Sequence, residues 1–395
     1  MSSSDTAQTD IKTSWPNSRL EAWKYTDLHQ LASKISMNPA SPSTSGWQAL
    51  PHDLLGHFSE IRNTEPLIRA FDELSGIIHS AGHGGWHARI PAGTSSNAPM
   101  RLWHAPSGTA GWSGFTHQIL MDEGARLTII EEFEDENPEE NFTEGSSPSE
   151  SYSNPVEKIN LHHLQVHLAR GAELKLIRLF RCPRGNALVH QIDALQEEGS
   201  KFEVQTISLG SGIIRNNIHI QQRGDQCSSS LLGLSLAFGG GHLDQFSRIQ
   251  HHALDGNSHQ HYKAIAAPNS TTIFNGVLRV EPHAQQTNAY QRSSNLMLDP
   301  ASLAQGQPSK TPLRSGKVNA KPELQIFADN VKCSHGATMG KLNTESIFYL
   351  QSRGLSFEEA QRMLTLAFAM EIVDQLEDDT IRAKVINHLD QLDWS

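Results

Sequence analysis

The sequence predicts a mainly β protein, a stacked solenoid of the β-helix type between helical regions at its two ends. Three observations carry that reading. Strand-like runs of period two recur from about residue 115 to 335. No long helical pattern separates them, which argues against alternating βαβ folds. Glycine turns return at a near-regular interval, the mark of stacked repeats. A sandwich or barrel also has regular turns and stands as the alternative.

The first 114 residues read as an α-rich region. "SRLEAWKYTDLHQLASKI" (18–35) spaces Leu20, Trp23, Leu28, Leu31 and Ile35 as a helix does. "MNPASPSTSGW" (37–47) reads as a linker, and "LPHDLLGHFSEIRN" as a second helix.

The strand-rich core follows over 115–340. Turn glycines or their equivalents fall at Gly124, Gly171, Gly199, Gly224, Gly256 and, more loosely, His283, in steps of 47, 28, 25, 32 and 27. The long first step contains residues 131–157, with ten acidic residues and no Lys or Arg. That stretch holds nearly all of the formal net charge of −11. Rich in Ser, Pro and Glu, it reads as a flexible acidic insert. A second loop insert covers 299–318.

Residues 341–395 return to helix. "NTESIFYLQSRG" starts at Thr344 as N-cap and stops at Gly354. "LSFEEAQRMLTLAFAMEIVDQLEDD" opens with Ser356 and Glu359 in capping-box spacing. Phe357, Leu364, Phe368, Ile372 and Leu376 form one apolar face, which Met363, Leu366, Met370 and Val373 widen.

Composition narrows the function. The three cysteines, Cys182, Cys227 and Cys333, are too few and too scattered for a disulfide framework, which suggests a reducing compartment. The first residues lack a secretory pattern, and no apolar run has membrane-spanning length. The expectation is a cytoplasmic protein without membrane contact. No basic footprint for nucleic acid is visible.

Twenty-one histidines invite a metal reading. His259 and His261 share a strand face, the pattern of a metal-dependent enzyme on a β-scaffold, but no Asp or Glu stands close after them. "AFGGGHLD" (237–244) reads as a turn, since neither lysine nor helix follows it. No convincing nucleophile or general base emerges.

"ADNVKCSHGAT" (328–338) is the most informative stretch. On a strand, Cys333 and His335 project from one face with α-carbons about 7 Å apart. Thiolate and imidazole can reach one metal at about 2.3 and 2.0 Å. Two ligands do not complete a site, so the remainder must come from distant residues or another chain. Val331 shares their face, and packing in a core or interface is the competing role.

Several stretches resemble one family. "QIFADNVKCSHGATMGKLNTESIFYLQSRGLSFEEAQRMLTLAFAMEIVDQL" (325–376), "NAKPELQI" (319–326), "IFNGVLRVEPHAQQTNAYQRSSNLML" (273–298) and "RLEAWKYTDL" (19–28) are similar to the SufB/SufD family of the SUF iron–sulfur cluster assembly system. "KCSHGAT" favours its SufD branch. The resemblance implies a right-handed parallel β-helix flanked by helical regions and a non-catalytic scaffold subunit. It implies SufB as partner through the β-helix and the ATPase SufC through the C-terminal helices, near Phe348, Met363, Leu366 and Met370. A homodimer is allowed when the chain is isolated. No nucleotide is expected on this chain. The cargo implied is a nascent iron–sulfur cluster shared with SufB, with His335 as ligand and Cys333 beside it. The loops 131–157 and 299–318 depart from the family pattern.

Overall fold

A computed structural model describes residues 84–96, 98–105, 110–133, 156–300 and 314–392, with residues 16, 18–27, 30, 44–48, 57–61 and 67 upstream. The expected helices of the first hundred residues lie mostly outside these, as do residues 134–155 and 301–313 of the two inserts.

Each coil of the solenoid contributes one strand to each of two facing nine-stranded sheets. The first sheet joins β1 (Thr44–Gln48), β4 (Met100–Ala105), β6 (Arg126–Phe133), β8 (Glu173–Cys182), β10 (Lys201–Gly210), β12 (Ser228–Ala237), β14 (Asn257–Ala266), β16 (Asn288–Met297) and β18 (Lys332–Gly340), in that order. The second joins β2 (Phe58–Ile61), β3 (Gly85–Ile90), β5 (Gly111–Met121), β7 (Lys158–Leu168), β9 (Asn186–Gln196), β11 (Ile213–Gln222), β13 (His242–His251), β15 (Thr271–Val280) and β17 (Lys317–Ile326). From β3 onward every ladder is parallel; only β1·β4 and β2·β3 run antiparallel. The parallel stack thus begins at Gly85, upstream of the first alternating run that the sequence shows.

The repeat is more regular than the glycines suggest. Gly171, Gly199, Gln226, Asp255 and Gln286 occupy the left-handed region at one turn of successive coils, 28, 27, 29 and 31 residues apart. Their N–H groups form a column between coils: Gly171 to Glu198 O at 2.8 Å, Gly199 to Asp225 O at 2.8 Å, Gln226 to Leu254 O at 2.9 Å. Gly224 and Gly256, marked as turn positions in the sequence, are therefore not the left-handed residues. Gly224 serves a different need, because a Cβ there would lie 2.0 Å from the Glu198 nitrogen.

Inward-facing residues fill the lumen. At one side Leu, Ile and Val stack coil upon coil, for example Ile129, Leu176 and Val204. Outward-facing Ile177, Ile207, Leu234 and Ile265 form a second apolar stripe on the first sheet. Three helices follow the last coil: α1 (Thr344–Gln351), α2 (Phe357–Val373) and α3 (Asp379–Gln391). Ala369, Ile372 and Val373 of α2 and Ile381, Val385 and Leu389 of α3 cover that stripe. Ser356 and Glu359 close the expected capping box. The N-cap of α1 is Asn343, not Thr344: its side chain accepts from Glu345 N at 2.7 Å and Ser346 N at 3.1 Å.

The outer face of the second sheet is covered differently, by polar contacts. Trp23 lies over the Arg215 guanidinium at 4.5 Å, and Arg215 donates to Ala22 O at 2.6 Å and to Asp244. Thr26 donates to Asp244 at 2.6 Å. Glu21–Trp23 is a 3-10 turn rather than part of a longer α-helix, while Leu28, Leu31 and Ile35 lie outside the described residues.

Candidate functional site

β18 is the last strand of its sheet, and among the described residues nothing pairs with its second edge. Its register sets Cys333 opposite Ala289 and His335 opposite Gln291, both of which are buried on the lumen side. Side-chain alternation therefore puts Cys333 and His335 on the inward face of the terminal coil, where no further coil among the described residues closes the solenoid. Cys333 is half-buried against Val331, Ala328 and Ile326, whereas His335 is exposed. Burial pushes the Cys333 thiol above its ordinary value, so the protonated form prevails at neutral pH. Tyr290, Phe327 and Met339 are exposed around this open end. The arrangement offers one thiol and one imidazole at an unpaired edge.

The other cysteines are elsewhere and buried. Cys182 lies against Asn186 O at 3.3 Å, and Cys227 against Glu197 O at 3.1 Å beneath the turn column. Neither shares a cluster with Cys333 among the described residues.

His259 and His261 both face outward, as their spacing predicts. His259 is exposed, but α2 covers His261. Glu371 of α2 lies 3.6 Å from His261, supplying the carboxylate that the neighbouring sequence lacks. That carboxylate is already bound by Lys263, with Arg292 at 3.9 Å. Two cations at the same carboxylate oppose a metal there.

The expected docking residues divide into two pairs. Phe348 and Met363 are 73% and 49% exposed, next to exposed Tyr349. Leu366 and Met370 lean against the core between the helices and the sheet. A groove beside α1 is lined by Leu298, Leu342, Ile347 and Phe357.

Sequence reasoning missed a polar network inside the lumen. Glu131 and Glu132, assigned to the acidic insert, belong instead to β6. Glu131 faces inward and accepts from Arg178 Nε at 2.8 Å and His104 Nε2 at 3.0 Å. Arg178 also donates to Asn216 Oδ1 at 2.9 Å and His190 Nδ1 at 2.7 Å, tying the two sheets together. Burial alone would raise the Glu131 carboxyl, but the Arg178 charge and the His104 hydrogen bond hold it well below the usual range. Burial pushes His117 down to about 3 and also lowers His162 and His190. A signal was present: Glu131 and Arg178 each stand seven residues after a left-handed glycine, Gly124 and Gly171. Opposite charges at the same repeat position are neighbours in a parallel stack.

Arg178→Met is expected to cost about 3–5 kcal/mol, because it strands the Glu131 carboxylate in the lumen. Urea unfolding measures the loss. Adding Glu131→Leu should recover most of it, and a double variant as weak as the single one would refute this pairing.

The chain matches the family model "SUF system FeS cluster assembly, SufBD core domain" over residues 109–311 and 313–368. It is 28% identical to the iron–sulfur cluster assembly protein SufD of Escherichia coli K12 over 77% of this chain and 66% of that protein. It is 33% identical to the chloroplastic protein ABCI7 of Arabidopsis thaliana over 69% of this chain and 51% of that protein. A SufBD family protein of Synechocystis, slr0076, is 30% identical over 65% of this chain and 52% of its own. The matched region thus spans about half to two thirds of the length of these relatives.

Proposed function

The chain belongs to the SufBD family of the SUF iron–sulfur cluster assembly system, and on that premise we propose that it is a non-catalytic scaffold subunit. It pairs with SufB along the open end of the solenoid and with SufC through the C-terminal helices. The nascent cluster is cargo assembled where the two β-helices meet. The observation that carries this reading is the terminal strand β18, which holds Cys333 and exposed His335 on an edge that no described strand of this chain covers.

Two donors suit iron but leave its coordination incomplete, so the partner supplies the rest, including thiolate. His335 enters as neutral imidazole. Cys333, if it ligates, gives up its proton as iron binds, because the thiolate is the ligand form. Exposed Phe348 and Met363 mark the SufC-facing side of the helical region. ATP-driven closure of SufC pulls on these helices, which pack on the outer stripe of the first sheet and so transmit the load to the coils.

Coexpression with SufB and SufC tests the assignment. The three chains are expected to co-purify as one complex. Phe348→Asp combined with Met363→Asp should release SufC while SufB stays bound. Both residues are exposed, so stability of the isolated chain should change by less than about 1 kcal/mol. A chain that ignores both partners overturns the proposal.

A further inference from the structure

The geometry points to a metal site inside the lumen: His104, His117 and His162 hold one divalent first-row transition ion of the zinc or iron(II) type. It shares no residue with the Cys333–His335 edge and does not depend on the function proposed above.

One ring nitrogen from each of the three histidines lies within 4.8 Å of the other two. They stand on three strands, β4, β5 and β7, so two facing sheets converge on one point. The His104 ring centroid is 4.6 Å from that of His162 and 5.3 Å from that of His117. Imidazoles around a tetrahedral ion, with bonds of about 2.0–2.1 Å, have centroids roughly 5 Å apart. To hold a tetrahedral ion the nitrogens must close from within 4.8 Å of one another to about 3.3 Å, a shift of the rings by up to about 1.5 Å.

All three rings carry nitrogens without hydrogen-bond partners. His104 Nδ1, His117 Nε2 and both nitrogens of His162 are buried without a hydrogen bond, in residues at most 2% exposed. A buried imidazole with neither nitrogen satisfied is costly, and an ion at the centre of the three rings would engage one nitrogen of each and so relieve part of that cost. The surroundings fit as well. His104 donates Nε2–H to Glu131, which leaves the Nδ1 lone pair directed at the cluster and forms the carboxylate–histidine–metal arrangement. Arg178 is engaged by that same Glu131, so its charge does not face the site uncompensated. Phe133 and Phe115 pack on His162 at 5.2 and 5.5 Å and give the cluster an apolar wall. Three neutral nitrogens select borderline transition ions over calcium or magnesium, which require oxygen.

His117 is the ligand that must adjust. Its Nδ1 accepts from Trp86 N–H at 3.1 Å, so Nε2 carries the ring proton before loading. Binding through Nε2 moves that proton to Nδ1 and gives up the Trp86 bond, which makes His117 the weakest of the three ligands.

The test uses the full chain stripped with a chelator, then given Zn²⁺ alone. Metal is added both to the folded protein and during refolding from urea, and the desalted product is analysed for bound metal. The expected result is about one zinc per chain, retained in the Cys333→Ser/His335→Ala double variant. Apparent affinity should fall by at least about 10-fold in His117→Gln and further in His162→Gln. Zinc-edge X-ray absorption on the unaltered chain, which does not depend on variants that fold, should show nitrogen and oxygen ligands with imidazole scattering and no sulfur. Failure of both loading routes, the result expected of a trapped water in place of the ion, overturns the proposal. So does zinc that survives His162→Gln, or sulfur in its coordination shell.

Discussion

Stability of the metal-free chain is expected to fall steeply as the pH drops from about 6.5 toward 4. His242, His251 and His388 are buried, and burial lowers each of them to about 4. In the folded chain they stay neutral, whereas in the unfolded chain they bind protons near 6.5. Between those values the unfolded state holds more protons, so stability rises with pH there and is lost on acidification. Each histidine contributes up to about 1.4 kcal/mol per pH unit, and three together up to about 4. Over the whole interval the loss reaches on the order of 10 kcal/mol, comparable to the total stability of a typical domain. Glu131 and Asp193 extend the trend. Burial opposes their ionisation, but Arg178 and His104 hold Glu131 low, and hydrogen bonds from His163 and His219 hold Asp193 low. Their contribution is present above about 4 and disappears as the pH falls below it. Urea titrations at pH 7.5, 6.5, 5.5 and 4.5 check this. Equal midpoints at pH 7.5 and 5.5 would show that these histidines are solvated or already charged.

The solenoid was legible because its signals are local and repeat. Alternation within "KFEVQTISLG" or "IIRNNIHIQQ" reads directly as a strand, and the absence of crossover helices leaves stacking as the way to pair such strands in parallel. The turn register was legible only to within three residues. Gln226, Asp255 and Gln286 adopt the left-handed conformation without glycine, held by the column of backbone hydrogen bonds between coils. Tertiary support at those turns overrides the preference that makes glycine conspicuous.

The two sites differ in the same way. Cys333 and His335 are two residues apart, so the common face of their strand comes from sequence spacing. That this strand ends its sheet depends on the next element of the chain, and the helical pattern beginning at Thr344 points to it. The lumen cluster is of another kind. His162 and His190 lie 28 residues apart, one coil, and their stacking at 4.6 Å reflects the period. His104 reaches them from the opposite sheet, and contact across the lumen leaves no spacing in the sequence. Glu131 was hidden further by its place at the head of an acidic stretch, where its charge reads as solvated.

Conversion of His335 to Ala has the largest functional consequence expected of any single substitution in the chain. The side chain is exposed on an edge strand of the isolated chain, so its removal should leave the fold and the metal-free stability unchanged within about 0.5 kcal/mol; as one residue of an extended interface, it should also leave co-purification with SufB and SufC intact. Under the proposed function, the substitution removes the imidazole donor assigned to the cargo. If Cys333 is also a ligand, the remaining half-site is a single thiol that burial keeps protonated. A site missing one such donor holds iron more weakly by at least about 10-fold.

The most direct measurement is therefore the iron–sulfur content of the purified, reconstituted three-chain complex carrying His335→Ala, read by visible absorption together with iron and sulfide analysis. Intact assembly with cluster yield reduced to about a tenth or less of the unaltered complex is the predicted result. An intact complex with undiminished yield would contradict the assignment of the cluster site to this edge.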